Sequence, residues 1–233
     1  MRNILQKLFS FNKKITTLPP STKKQKSKGQ SLVEFAIAFP IVILLFSGVV
    51  EFGFILNYYL SLLDATREAA RQYSRTDPWL PDPRPDRNDT YWFYIDAAET
   101  VKDAVEPRDI NDTSRKIVLD PTTDDVIITV YSMCGINVYS FPSVGGWKLY
   151  GNATSAFIDP STGASTMLAS RLAGAPNAGA LLVEINYNYH QVLALPWLTV
   201  WLSNPLPLRA YTIMPLRAAE PPMDAPAPNV ACP

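Results

Sequence analysis

GQSLVEFAIAFPIVILLFSGVVEFGFILNYYLSLL, residues 29–63, decides how this chain is read. Between Glu34 and Asp64 its only charge is Glu51. A membrane-spanning helix needs ~20 apolar residues at 1.5 Å rise each. Phe35–Phe54 supplies that span, with Glu51 near the outer headgroups or against a partner. A carboxylate left unpaired at mid-membrane costs roughly 3 kcal/mol or more, so either placement limits the penalty.

The flanks orient the span. Of 21 Lys and Arg, eight fall in residues 1–29 (Arg2, Lys7, Lys13, Lys14, Lys23, Lys24, Lys26 and Lys28) with no acidic residue among them. The other 13 are set against all 21 Asp and Glu, so the zero net charge hides a basic arm and an acidic remainder. Basic flanks stay cytoplasmic. This gives a single-pass protein of the cytoplasmic membrane, with its N-terminus inside and its C-terminal domain outside. The acidic remainder lacks the basic footprint of nucleic-acid binding.

Three readings of the N-terminus compete. A cleaved secretory signal has an apolar core of ~7–15 residues followed by a small-x-small site, and this core is longer with no such site after it. An uncleaved anchor fits the hydropathy but leaves Gly29 and Glu34 unexplained. In the third reading a protease cuts on the cytoplasmic side, before the apolar run, and the helix survives as the mature N-terminus. Gly29 lets a backbone approach closely. Gln30 then becomes the first residue and Glu34 the fifth. A carboxylate there needs a partner in an apolar bundle, and the N-terminal ammonium of a neighbouring subunit would set axial register. Gly29 and Gln30 are thus the candidate processing site, and Glu34 and Glu51 the candidate register residues.

These residues carry a family resemblance. Gly29, Val33-Glu34-Phe35, Pro40, Gly48, Glu51-Phe52-Gly53 and Ala65-Thr-Arg-Glu-Ala-Ala-Arg71 resemble the TadE-like pseudopilins of the tight-adherence (Tad) pilus system. The resemblance implies a structural, non-enzymatic assembly subunit of an adhesive pilus. Its partners would be a prepilin peptidase, other pilins and pseudopilins, the Tad assembly platform and membrane lipid. The alternative is a non-polymerising, membrane-anchored extracytoplasmic binding protein.

Beyond the span, the helix is expected to run to about Tyr73, its stripe carried by Leu56, Tyr59, Leu60, Leu63, Ala70 and Tyr73. Asp64–Arg67 and Glu68–Arg71 are spaced for pairing on another face. The proline- and aspartate-rich 76–90 segment breaks the helix and reads as a solvated turn, not a calcium loop. A second helix over 91–106 buries Tyr94, Ala98, Val101 and Val105 and stops at Pro107. Strands are expected at Lys116–Leu119, Val126–Met133, Leu181–Val192 and Leu208–Leu216. In the third, Leu181, Val183, Ile185, Tyr187 and Tyr189 face the core, while Glu184, Asn186, Asn188 and His190 face water. Residues 134–180 read as loop with one short helix near Ser165–Leu172. The stretch Leu193–Leu208 is unusually apolar. Trp197, Leu198, Val200, Trp201 and Leu202 either cover the core or lie on a membrane or a partner.

The chain thus reads as α+β, a long N-terminal transmembrane helix packed on a small antiparallel sheet in the pilin manner. Its parts are a leader (1–29), a transmembrane and stalk helix (30–75), an exported domain (76–219) and a proline-rich disordered tail (220–233). Cys134 and Cys232, both exported, are a possible disulfide. No catalytic, cofactor or metal motif occurs. His190 reads as a surface residue, and Asp124 and Asp125 would point to opposite faces of a strand.

Overall fold

The computed structural model describes residues 28–80, 82–84, 91–107, 109, 117–134, 137–142, 145–157 and 179–216. Helix α1 spans Lys28–Tyr73. The chain divides into two compact units between Leu44 and Leu45. In the first, residues 28–44 are helical through Pro40, and Leu32, Phe35, Ile37, Phe39 and Ile41 are all exposed. An apolar helix with its side chains facing outward is what lipid or a like helix would cover.

The second unit holds α2 (Trp92–Val105), a four-residue α3 (Pro196–Thr199) and a five-stranded sheet. Its strands are β1 (Asp125–Cys134), β2 (Asn137–Phe141), β3 (Trp147–Lys148), β4 (Gly179–Tyr189) and β5 (Leu206–Leu216). The order is β2-β1-β4-β5, with β3 also on β1, and every pairing is antiparallel. Val126, Ile128 and Val130 lie opposite Ile185, Val183 and Leu181. Because side chains alternate, these pairs form one apolar face. Onto it pack Leu62, Ala65, Ala69, Ala70 and Tyr73 of α1 and Tyr94, Ala97, Ala98, Val101 and Val105 of α2. The α+β expectation holds, as do α2 and its stripe. The ion pairs Arg67–Asp64 (3.4 Å) and Arg71–Glu68 (2.8 Å) form as spaced.

Several local expectations are corrected. The expected stripe of α1 holds in its last turns, where Ala70 and Tyr73 are buried and Leu63 is partly so, but Leu56, Tyr59 and Leu60 are exposed, and Leu62, Ala65, Thr66 and Ala69 are buried beside it. Small residues win because they let the helix approach the sheet closely. Ile117–Leu119 is not a strand; the Leu119 N–H is taken by Glu106 Oε1 at 3.1 Å, and Ile117 and Leu119 are buried without ladder pairing. Two strands, β2 and β3, lie in the 134–180 stretch expected to be loop, because short strands among glycine and proline leave little periodic signal. Strand β4 stops at Tyr189, three residues early, for a reason that belongs to the site below. Glu184, expected to face water, is fully buried. The expected helix near 165–172, the 220–233 tail, residues 1–27 of the leader and Cys232 all lie outside the described residues, so the disulfide does too.

Strand β5 is an edge strand and contains Pro207 and Pro215. Proline cannot donate to a ladder, and it fits a strand only where its nitrogen faces away from the neighbour. The two sit eight residues apart, so both nitrogens point to the same, outer side.

Candidate functional site: the helix–domain clasp

The first turn of α1 carries Gly29 and Gln30, both exposed. Gly29 has open space where a side chain would stand. Gln30 Nε2 donates to Glu34 Oε1 at 3.1 Å, one turn on, and Glu34 is itself exposed. Glu34 is thus presented outward with one intrahelical partner.

Glu51 is different. Its side chain is 0% exposed within the second unit. Three donors converge on it: the Tyr189 hydroxyl on Oε1 at 2.6 Å, the Val192 N–H on Oε1 at 3.0 Å and the Leu193 N–H on Oε2 at 2.9 Å. Both oxygens of the expected headgroup- or partner-facing residue are engaged inside its own chain. This is also why β4 ends where it does: past His190 the backbone amides turn from the sheet to the carboxylate. Ala194, at φ 44°, makes the turn. A non-glycine residue there costs roughly 1–2 kcal/mol, which the bonds to Glu51 offset. Burial, then the Glu51 hydrogen bond, raise the Tyr189 phenol well above its ordinary range.

The clasp extends along the helix. Trp197 Nε1 donates to Ser47 Oγ at 3.1 Å. Tyr58 meets Tyr189 edge-on at 5.0 Å and Tyr187 stacked at 6.1 Å. The Thr66 and Thr212 hydroxyls are 2.9 Å apart. Contacts therefore step down α1 in order, from Thr66 through Tyr58 and Glu51 to Ser47. An open apolar groove lined by Val50, Gly53, Phe54, Asn57, Tyr58 and Val192 flanks them. Sequence reasoning singled out Glu51 but not Ser47, Tyr58 or Thr66. The signal was available as polar or phenolic residues one or two helical turns apart, at spacings of four, seven and eight, on an apolar helix.

Several other acidic residues hold loops. Asp124 accepts from the Asn188 N–H at 2.9 Å and the Asp120 N–H at 2.9 Å. Asp125 accepts from Tyr150 and Ala153, each at 2.9 Å. The two serve separate loops, as expected of neighbours where a strand begins. Asp77 accepts from the Trp79 N–H at 2.9 Å and Asp82 from Arg84 at 2.8 Å, consistent with turn chemistry. His190 is exposed.

On the sheet face away from α1, Tyr131, Ala180 and Leu182 pack with Phe157. Glu184 lies among them, accepting from the Ser155 hydroxyl and from the Ala156 N–H at 3.2 Å. Burial dominates and raises its carboxyl above the ordinary value, against the pull of those bonds and Arg209. For an acid raised in the folded state, the contribution is complete below the unfolded value and is lost as pH climbs to the folded one. Stability of the wild type should therefore decline across that window, and Glu184→Gln should flatten the decline. Equal slopes in denaturant titrations of the two proteins over that range would refute this.

These features define a class: an α+β protein carrying one long, apolar N-terminal helix consistent with a single-pass membrane anchor. Within it, residues 29–71 match the family of TadE-like proteins. The match covers the helix and not the sheet domain. Comparison with curated proteins and with solved structures returns no match. The family and the helix together indicate a membrane protein associated with the Tad pilus.

Proposed function

We propose that this protein is a pseudopilin, a structural rather than catalytic subunit in the assembly of a Tad-type adhesive pilus. A prepilin peptidase removes the basic leader after Gly29. Gln30 becomes the mature N-terminus, the helix stays in the membrane, and the domain lies on the far side. Glu34 then pairs with the N-terminal ammonium of a neighbouring pilin or pseudopilin and sets the axial step. The observation that carries the reading is the outward presentation of Glu34 on a helix whose apolar side chains around it are exposed. An apolar rod with one early carboxylate suits packing among like rods better than solitary life in lipid, where that charge goes unpaired.

The decisive experiment is N-terminal sequencing of the mature protein from membranes, which should begin at Gln30. Glu34→Ala should insert and be cleaved normally yet fail to support piliation. An intact leader, or normal pili from that variant, would overturn the proposal. The self-contained bonding of Glu51 favours a second reading, a tethered monomer with an extracytoplasmic binding role. An uncleaved N-terminus would support that reading instead.

A further inference from the structure

The connection from β4 to β5 contains no Asp, Glu, Lys or Arg between Glu184 and Arg209. Its apolar residues do not all fold inward. Leu198 is buried, but Trp197 is 39%, Val200 78% and Trp201 84% exposed. Two tethers fix where this connection lies. Leu193 is held at Glu51 and Trp197 at Ser47, one helical turn nearer the N-terminus. The loop therefore runs along α1 into the stretch where Leu45, Phe46, Val49 and Phe52 are exposed. That stretch belongs to the Phe35–Phe54 span read from sequence.

We infer that the Gln191–Pro205 connection is a membrane-interface wedge, with Val200 and Trp201 seated at the headgroup–acyl boundary on the side that carries the domain. This rests on α1 being a membrane anchor. Lipid is the occupant because the loop is continuous with the helix surface that lipid covers, because it lacks charge, and because tryptophan favours that boundary with its ring in the apolar zone. The clasp on Glu51 serves the same end. It sheathes the one charge at this depth with backbone amides and a phenol, so the loop and helix offer lipid an uncharged surface. The domain would then be held by a spanning helix and a peripheral foot, which fixes its tilt on the bilayer.

The test uses the full chain reconstituted in phosphatidylcholine vesicles, with and without bromine on the acyl chains near the headgroup. Brominated lipid should quench tryptophan emission of the parent protein, and Trp201→Phe should lose most of that quenching. Of the other tryptophans, Trp92 is buried, Trp79 and Trp147 are part-buried, and Trp197, 39% exposed in the same loop, accounts for the quenching that remains. Val200→Asp, which leaves the indole in place, should shift the remaining emission to longer wavelength and expose it to aqueous acrylamide. An alkaline carbonate wash separates the two claims. If the parent is stripped from the vesicles, the anchor fails and the wedge with it. If the parent stays but Trp201→Phe leaves quenching unchanged, the wedge alone is wrong. Protection of Trp201 from both bromine and acrylamide would mean another protein copy covers it, and would also overturn the inference.

Discussion

Replacing Glu51 with leucine should loosen the sheet domain from its own helix. The substitution leaves the Tyr189 hydroxyl and the Val192 and Leu193 amides without their acceptor. Hydrogen bonds to a charged group contribute about 1.5–3 kcal/mol each, less where the freed donors reach water. Losing three together should cost about 3 kcal/mol or more. At roughly 2–4 °C per kcal/mol for a domain of this size, the melting temperature should fall by about 10 °C. Thermal unfolding of the detergent-solubilised chain measures the loss, and limited proteolysis should show new cleavage within the connection after Tyr189. Glu51→Gln should fall between the two, because its amide presents a donor where one oxygen now accepts. A leucine variant that melts with the wild type would show that the clasp does not bear on stability. The same variant separates roles within the helix: its defect should appear in the isolated chain, whereas that of Glu34→Ala should appear only when subunits meet.

Gly146→Val should be comparably damaging for a different reason. Gly146 sits at φ +79°, in the left-handed region. A side chain placed there would run into Thr129 Oγ1 and come within 2.7 Å of Ile127 Cγ2. Both neighbours are fully buried on a central strand and cannot move aside. The backbone term is roughly 1–2 kcal/mol and overpacking adds about 1–3 kcal/mol. The loop carrying β3 should lift from the sheet and uncover the face that holds Thr129. The checks are a lowered melting point and faster amide exchange at Ile127 and Thr129. Unchanged exchange would mean that the loop accommodates the side chain.

Much of this architecture was legible in the chain because its signals are long. An uncharged stretch from Phe35 to Val50 reads as a lipid- or bundle-facing helix, and alternation from Leu181 to Tyr189 marks a strand, although both of its faces are buried as far as Ile185. The failures have common physical causes. The stripe on α1 was read from large residues, yet close packing selected Ala65, Thr66 and Ala69, and left Leu56 and Leu60 outside. Glu184 was assigned to water because it is charged; the fold covers it with a loop whose Ser155 and Ala156 supply donors from about thirty positions earlier, beyond the reach of local pattern. Glu51 was legible as unusual but not as clasped, since its partners come from the far end of β4. The register role proposed for Glu34 rests on chemistry in search of a neighbour, which a single chain does not contain.

The two prolines of β5 carry a consequence for how copies of this molecule can associate. A sheet grows sideways when its last strand offers a regular row of amide donors to a newcomer. Here that row is interrupted at both ends, leaving only a short run of donors between Pro207 and Pro215. Recruitment by strand donation is thereby discouraged on this flank. A fibre made from such subunits would not be stitched together along this border of the sheet.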